Sequence, residues 1–336
     1  MPPINDIWQE DFWGLSSLTD AVNILPYQPK MADQMGIFKK QGITTLTVSA
    51  EYKNGTVALV PNTARGAPGT PNSVEKRTGR AFSIMHLCLN DVVKADDVQG
   101  VRAFGQATAT ETVQGKVNEK MQSMKDKIAV TQEYHRLGAL KGKLMDSDGT
   151  TTILDIHTEF GIAKPTQQFD FSSDSIDVRL QCMALKRTIQ AALGEYSMGM
   201  VGVFCSDTWF DALIGHASVK DVFKYHPGAV TLAENLAYEV FDFAGCRFVN
   251  YRGNVSSQDF IEDDHAQAFP LGTNGLFGEY YGPADYNETV NTTGLQFYAK
   301  SERMAMDKGM TLEVQSNPLM LCHRPQALVD LTMITT

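Results

Sequence analysis

The hydrophobic positions of this chain change period several times, and each change marks an element. From Ala107 to Leu140 apolar residues recur three and four apart, at Val113, Val117, Met121, Met124, Ile128, Tyr134 or His135, and Leu137. That spacing lays them along one stripe of a single amphipathic helix. At 1.5 Å per residue the helix would be roughly 50 Å long. A compact globule of this chain length is only ~50 Å across, so the helix predicts a flat or elongated molecule. Gly138 and Gly142 end it, and "ALKGKLMDSDGTTTILDI" follows as a β-hairpin turning at Asp148-Gly149.

Other stretches read as strands. "TTLTVSAEYKNGTVALVP" (Thr44–Pro61) predicts two Thr- and Val-rich strands joined at Asn54-Gly55, a strong short hairpin signal. A Gly/Pro-rich tip then leads to "AFSIMHLCL" as a third strand. A second helix is predicted from about Ser175 to Leu193, with Asp174 and Asp177 at its start, where acids suit the helix dipole, and Gly194 as its stop. "MGMVGVFCS" reads as a buried strand feeding the helix "DTWFDALIGH", and the final strands turn at Asp307-Lys308-Gly309. The opening residues carry Trp8, Phe12, Trp13, Leu15 and Leu18, with Pro26 and Pro29 as breakers. They predict a sticky arm whose aromatics something must cover.

Composition narrows the class. A chain of 336 residues with 43% hydrophobic content can bury a large core and should hold two or three lobes at roughly 100–200 residues per domain. The net charge of −10 argues against direct nucleic-acid binding, which relies on Lys and Arg neutralising phosphates. The charge is uneven. Between Glu51 and Arg80 five basic residues stand against two acids, whereas between His226 and Leu295 ten acids stand against Arg247 and Arg252. The first basic residue is Lys30, so no basic segment leads into an apolar one as in a secretory signal. No apolar run approaches the ~18 residues of a membrane span. The five cysteines, Cys88, Cys182, Cys205, Cys246 and Cys322, are scattered and never form a CxxC pair, which predicts reduced, mostly buried thiols.

Candidate chemistry is sparse. The chain has no GxSxG, P-loop, GxGxxG or HExxH motif. At Ser197, "EYSMG" places Glu195 where a nucleophile elbow needs Gly. Asp146, Asp148 and Gly149 lack the further ligands of a calcium loop and read as a turn. "IEDDH" (Ile261–His265) sets carboxylates beside a histidine and reads as a solvated acidic loop rather than a metal site. No catalytic, cofactor or metal residue is expected.

"TQEYHRLGALKGKLMDSDGTTTILDIHTEFG" (Thr131–Gly161) and "VALVPNTARGAP" (Val57–Pro68) resemble the lambda-type major capsid protein E family of tailed bacteriophages. "LTDAVNILPYQPKMADQMGIF" and "VGVFCSDTWFDALIGH" agree in the same order. The resemblance implies an α+β chain with the Hong Kong ninety-seven-type capsid fold. Residues 1–40 would be the N-terminal arm and 41–90 the extended hairpin loop. Residues 91–173 and 293–336 would form the peripheral domain, with its spine helix over 107–140, and residues 174–292 the axial domain. His135, Arg136 and Gly138 would then mark the joint where the rigid helix passes into the hairpin. Trp8, Trp13, Asn54, Gly55, Arg65, Lys76, Arg77 and Arg80 become candidates for contact with neighbouring subunits.

The same resemblance implies a protein of the virion, assembled in the host cytoplasm as pentamers and hexamers of itself into a shell that encloses DNA without binding it specifically. A portal protein and a decoration protein would be further partners. The arm begins almost at Met1 and leaves little chain for a fused scaffold, so a separate scaffolding protein is expected. The basic loop and an acidic surface of a neighbour could steer assembly. The rival readings are an encapsulin-like compartment shell, which shares the fold, and a soluble hydrolase with an unrecognised site within 174–292.

Overall fold

The computed structural model describes residues 31–53, 77–99, 113–194, 196–220, 240–252, 254–255 and 258–335. A short helix α1 (Met31–Gln34) leads into strand β1 (Lys39–Gly42), then β2 (Thr47–Lys53), β3 (Arg77–Ser83) and β4 (Leu87–Lys94). The long helix α2 (Val113–Lys141) is followed by β5 (Lys143–Met145), β6 (Thr152–Asp155), helix α3 (Ile156–Phe160), β7 (Thr166–Asp170) and helix α4 (Val178–Leu193). Next come β8 (Met200–Cys205), helix α5 (Asp207–Gly215), β9 (Val240–Phe243), β10 (Cys246–Asn250), and a two-residue ladder of β11 (Asn254–Val255) with β12 (Gln258–Asp259). Strands β13 (His265–Leu271), β14 (Phe277–Tyr281), β15 (Tyr298–Arg303), β16 (Gly309–Ser316), β17 (Pro318–Cys322) and β18 (Val329–Ile334) complete the chain. Among the described residues, no helix is long and apolar enough to cross a membrane.

Helix α2 follows its periodic stripe. Val117, Met121, Met124 and Ile128 are buried against Val93, Phe297, Ala299, Met310, Leu312 and Val314 of the three-stranded antiparallel sheet β15-β16-β4 and its approach. Its 29 residues make a rod about 44 Å long at 1.5 Å per residue. Its second half leaves that sheet and is buried nearly all round from Gln132 to Leu140, apart from half-buried Tyr134. Gly142 closes the helix in the left-handed region (φ 76°), its N–H donating to the Ala139 carbonyl. The chain then turns through Asp146–Gly149. There the Asp148 carboxylate accepts from the backbone N–H groups and hydroxyls of both Thr150 and Thr151, and these donors hold its pKa well below the usual range.

The larger core surrounds a six-stranded sheet in the order β7-β18-β13-β8-β10-β9. It is mixed: β8 runs parallel to β10 and β7 to β18, while β13 runs antiparallel to both β8 and β18. Helix α4 buries Val178, Cys182, Leu185, Ile189 and Leu193, one residue every three or four. Asp177 caps its start by accepting from Arg179 N, and Gly194 follows its end at φ 63°. Helix α5 contributes Trp209, stacked on Phe248 and meeting Phe169 and Phe171 edge-on. Four of the five cysteines are buried, and Cys88 is exposed.

One strand reading needs correction. "AFSIMHLCL" is not one strand: β3 and β4 are separated by Ile84–His86 and belong to different sheets, β3 with β2 and β4 with β16. The change of partner is possible because strand alternation lets the chain change face within a few residues. The described partner of β2 is β3, with Thr47 opposite Ser83 and Lys53 opposite Arg77. The tight turn expected at Asn54-Gly55 lies outside the described residues.

Candidate assembly interface

The end of α2 carries a dense network of buried hydrogen bonds and ion pairs. Arg136 is fully buried. Its guanidinium donates from Nη2 to Glu279 Oε1 at 2.6 Å, from Nε to Glu279 Oε2 at 3.1 Å, and from Nη1 to Glu133 Oε2 at 3.2 Å. Asp33 lies 3.6 Å from Nη2 and also pairs with Lys40 at 2.6 Å. Glu133 in turn accepts from Ala32 N at 2.7 Å and from the Tyr251 hydroxyl at 3.3 Å, and the Tyr281 hydroxyl donates to Glu279. Two cations and three carboxylates thus tie together α1, α2, the strand β14 and the residue after β10.

Burial sets the electrostatics of this cluster. Loss of water pushes the Glu133 carboxyl above its usual range, against the pull of Ala32 N–H and Arg136. Burial and the neighbouring Glu279 raise Tyr281 well above a free phenol, so it stays a donor. A guanidinium suits such a place because its planar fork binds carboxylates two bonds at a time.

His135 behaves differently from its neighbour. Its ring is buried, neither ring nitrogen has a hydrogen-bond partner, and burial lowers its pKa to about 4. Gly138 is required for close approach: a Cβ there would stand 3.0 Å from the Lys143 carbonyl and 3.2 Å from Leu144 Cα. The joint residues therefore do three separate jobs, as ionic anchor, buried neutral ring and contact point for β5.

The paired strands β2 and β3 rest on the body. Val48 and Phe82 are buried with Ile156, Leu319 and Leu321, and Phe82 meets Phe160 edge-on at 5.9 Å. Arg80 is exposed and pairs with Glu159 of the same chain at 3.6 Å. Arg77 lies in β3 opposite Lys53. Trp8, Trp13, Asn54, Gly55, Arg65 and Lys76 lie outside the described residues. Beside the hairpin base, an open groove of about 610 Å³ runs between Leu46, Ile84 and His86 on one side and Pro283, Tyr286 and Val290 on the other. Leu46 and Val290 stand well exposed on it.

Sequence reasoning singled out Arg136 but missed its partners. Glu279 is a lone acid inside the apolar strand "LFGEYYG", and a charge in such a place signals a buried partner. Nothing local pointed to Asp33 or Tyr251. The acids of "IEDDH" are exposed at Glu262, Asp263 and Asp264. Among the described residues, no group of three or more His, Cys, Asp or Glu side chains is arranged to hold a metal ion.

The profile of the family described as phage major capsid protein E matches residues 14–333. The major capsid protein of Salmonella phage Felix O1 is 25% identical over 350 residues, covering 94% of this chain and 95% of that protein. The major capsid protein of Pseudomonas phage KPP10 is 26% identical over 338 residues, with 94% and 95% covered. Among solved structures, a capsid-protein candidate from a prophage of E. coli CFT073 superposes with a TM-score of 0.59 at 11% identity, covering 95% of this chain and 99% of the other. The capsid structure of cyanophage P-SCSP1u gives 0.55 at 11% identity, with 93% and 90% covered. At such identities the likeness speaks to fold alone.

Proposed function

We infer the role of this chain from the family to which it belongs, that of phage major capsid protein E. It is the major capsid protein of a tailed bacteriophage, and its place is the virion, where copies of it build the icosahedral head shell around double-stranded DNA. The observation that carries this conclusion is the family match over residues 14–333. Its fold is the Hong Kong ninety-seven-type capsid fold, and its role is structural. The phage-head reading prevails over a cellular compartment because the family and both relatives are phage capsid proteins.

Within that role we assign parts to the chain. Residues 1–40 act as the arm and 41–90 as the extended loop. Residues 91–173 with 293–336 act as the peripheral domain around the spine helix, and residues 174–292 as the axial domain. The anchoring of Val48 and Phe82 supports a loop fixed where β2 and β3 meet the body, and the two-stranded β2–β3 pair gains from a neighbour on its other face. The exposed groove with Leu46 and Val290 supports a further contact there. The ionic cluster at Arg136 fixes the root of the arm to the helix, so tension on the arm is transmitted to the body rather than absorbed in a slack linker.

Pentamers and hexamers of this chain would meet a portal protein at one vertex, use a separate scaffolding protein for curvature, and accept a decoration protein outside. The net charge of −10 supports an inner wall along which packaged DNA slides without being held. Catalysis has no part in this account.

The test is co-expression with the neighbouring genes of its genome, followed by sedimentation. A dominant fast-sedimenting particle fraction is expected; a chain that stays in slowly sedimenting monomers or small oligomers would contradict the assignment.

A further inference from the structure

Helix α4 has two faces, and the fold uses one. Val178, Cys182, Leu185, Ile189 and Leu193 face the sheet and are fully buried. On the opposite stripe, Leu180 is 58% exposed and Met183 38% exposed, and Ala184 and Ala191 are exposed beside them. A surface helix ordinarily turns polar residues to water along that stripe. Here the charged residues are all of one sign: Arg179 and Arg187 are exposed, Lys186 is half-buried, and the helix contains no Asp or Glu, the other exposed polar residues, Thr188 and Gln190, being neutral. None of the three cations has an anionic partner among the described residues. In a chain of net charge −10, this is an apolar stripe with an unanswered positive rim.

The complementary charge lies on another element of the same chain. Glu262, Asp263 and Asp264 are consecutive, exposed, and form no ion pair among the described residues, although Glu262 lies within electrostatic reach of Lys141. The turn is held in place rather than hanging free. Asp264 adopts φ 63° and its N–H donates to Thr208 Oγ1 at 3.0 Å, just inside the start of α5. Arg179 and Arg187 lie two turns apart on one helix, about 12 Å at 1.5 Å per residue, and the turn, closed by the His265 N–H donating to the Glu262 carbonyl at 3.2 Å, presents its three carboxylates from one compact corner.

We propose that the outer face of α4 is the seat of a second copy of this chain, whose acidic turn Glu262–Asp264 lies along it between Arg179 and Arg187. The proposal rests on the capsid reading and deepens it by naming the surfaces through which copies meet. The two surfaces belong to different elements, so the contact is head-to-tail, and a head-to-tail contact repeated around an axis closes into a ring. Leu180 and Met183 supply the apolar centre. The charges fix register and speed encounter, because complementary potentials steer association and penalise wrong pairings.

The experiment is a charge swap in the full chain co-expressed with its genomic neighbours. R179E/R187E reverses the helix face, and E262K/D263K reverses the turn; all four positions are exposed, where substitutions seldom unfold a protein. Circular dichroism and thermal melting of the unassembled subunits check folding. Each reversal alone should lower the yield of sedimenting shells by at least about tenfold, the change expected from losing roughly one close charge pair per interface. Combining the two reversals should restore the shells. Folded single-surface variants that assemble like the parent, or a combined variant that fails to recover, would overturn the contact. A parent chain that forms no shells at all would overturn the capsid reading itself, and the contact with it.

Discussion

Arg136 and Glu279 are 143 positions apart in the chain and face each other through two hydrogen bonds, Nη2 to Oε1 at 2.6 Å and Nε to Oε2 at 3.1 Å, both side chains out of contact with water. The pair holds the long helix against β14 while Glu133 and Asp33 hold α1 on the same guanidinium. Removing the cation leaves three carboxylates facing one another, of which Asp33 keeps its pair with Lys40. Arg136→Ala should therefore cost about 3–5 kcal/mol, as breaking one side of a buried ion pair does. Arg136→Lys should recover only part of that, because an ammonium cannot occupy both carboxylate oxygens in one plane. Urea unfolding of the unassembled subunit measures both.

The buried histidine makes stability depend on acidity. His135 takes up a proton near pH 6.5 in the unfolded chain and near pH 4 in the folded one. The unfolded state thus binds more protons across that window, and stability falls as pH drops from 6.5 to 4. His157 and His323, also lowered by burial, act in the same sense. Glu133, raised by burial, acts oppositely, because acidification through its window favours the folded state. Asp146 is the charge that faces His135 and draws its pKa upward. His135→Leu removes a ring with two unpartnered nitrogens. It should relieve about 2 kcal/mol of acid destabilisation at pH 5 while costing little at pH 7. Unfolding curves at the two pH values decide the matter, and an unchanged difference between them would refute the role given to this ring.

Gly142 stands where the helix becomes a hairpin. It adopts φ 76°, and a Cβ there would run into the ring of His157, which is itself bonded through Nε2 to the Pro325 carbonyl at 3.1 Å. Gly142→Ala should lower stability by more than about 1 kcal/mol, whereas Ala in place of the exposed Gly215, which would meet nothing within 4 Å, should be far milder. The comparison of their thermal midpoints is the check.

The basic loop offers a kinetic prediction. Arg80 has an anionic partner in its own chain, Glu159, so the proposed steering by the basic residues Lys76, Arg77 and Arg80 is tested at the other two. Reversing both should slow assembly and flatten its dependence on salt, since steering between exposed charges is screened over about 10 Å at 0.1 M salt. Light scattering at two salt concentrations reads both quantities. Equal rates for parent and variant at low salt would remove the steering role.

Much of the local architecture was written in the chain. The three-and-four spacing of Val117, Met121, Met124 and Ile128 specified the spine, and Asp148-Gly149, Gly142 and Gly194 marked turns and stops whose backbone geometry few other residues adopt. Long-range pairing was not legible. Nothing near Arg136 says that its partner is 143 positions away, because a buried ion pair is specified by the fold as a whole and not by a local pattern. The break between β3 and β4 at Ile84–His86 was hidden for a related reason: Ile84 and Met85 carry the apolar run across it toward Leu87, and which sheet each strand joins depends on β2 and β16 rather than on themselves. The start and stop of α4 were readable at Asp177 and Gly194, but the apolar residues on its outer stripe gained meaning only once the opposite face was seen to be filled by the sheet.

The central claim is that this chain closes into a phage head. The most direct measurement is electron cryomicroscopy of the particles recovered when the full chain is expressed with its genomic neighbours. The account predicts closed icosahedral shells whose repeating subunit has the long helix α2 and the six-stranded sheet described above. A homogeneous preparation of folded monomers, with no shells even when those neighbours are present, would contradict it.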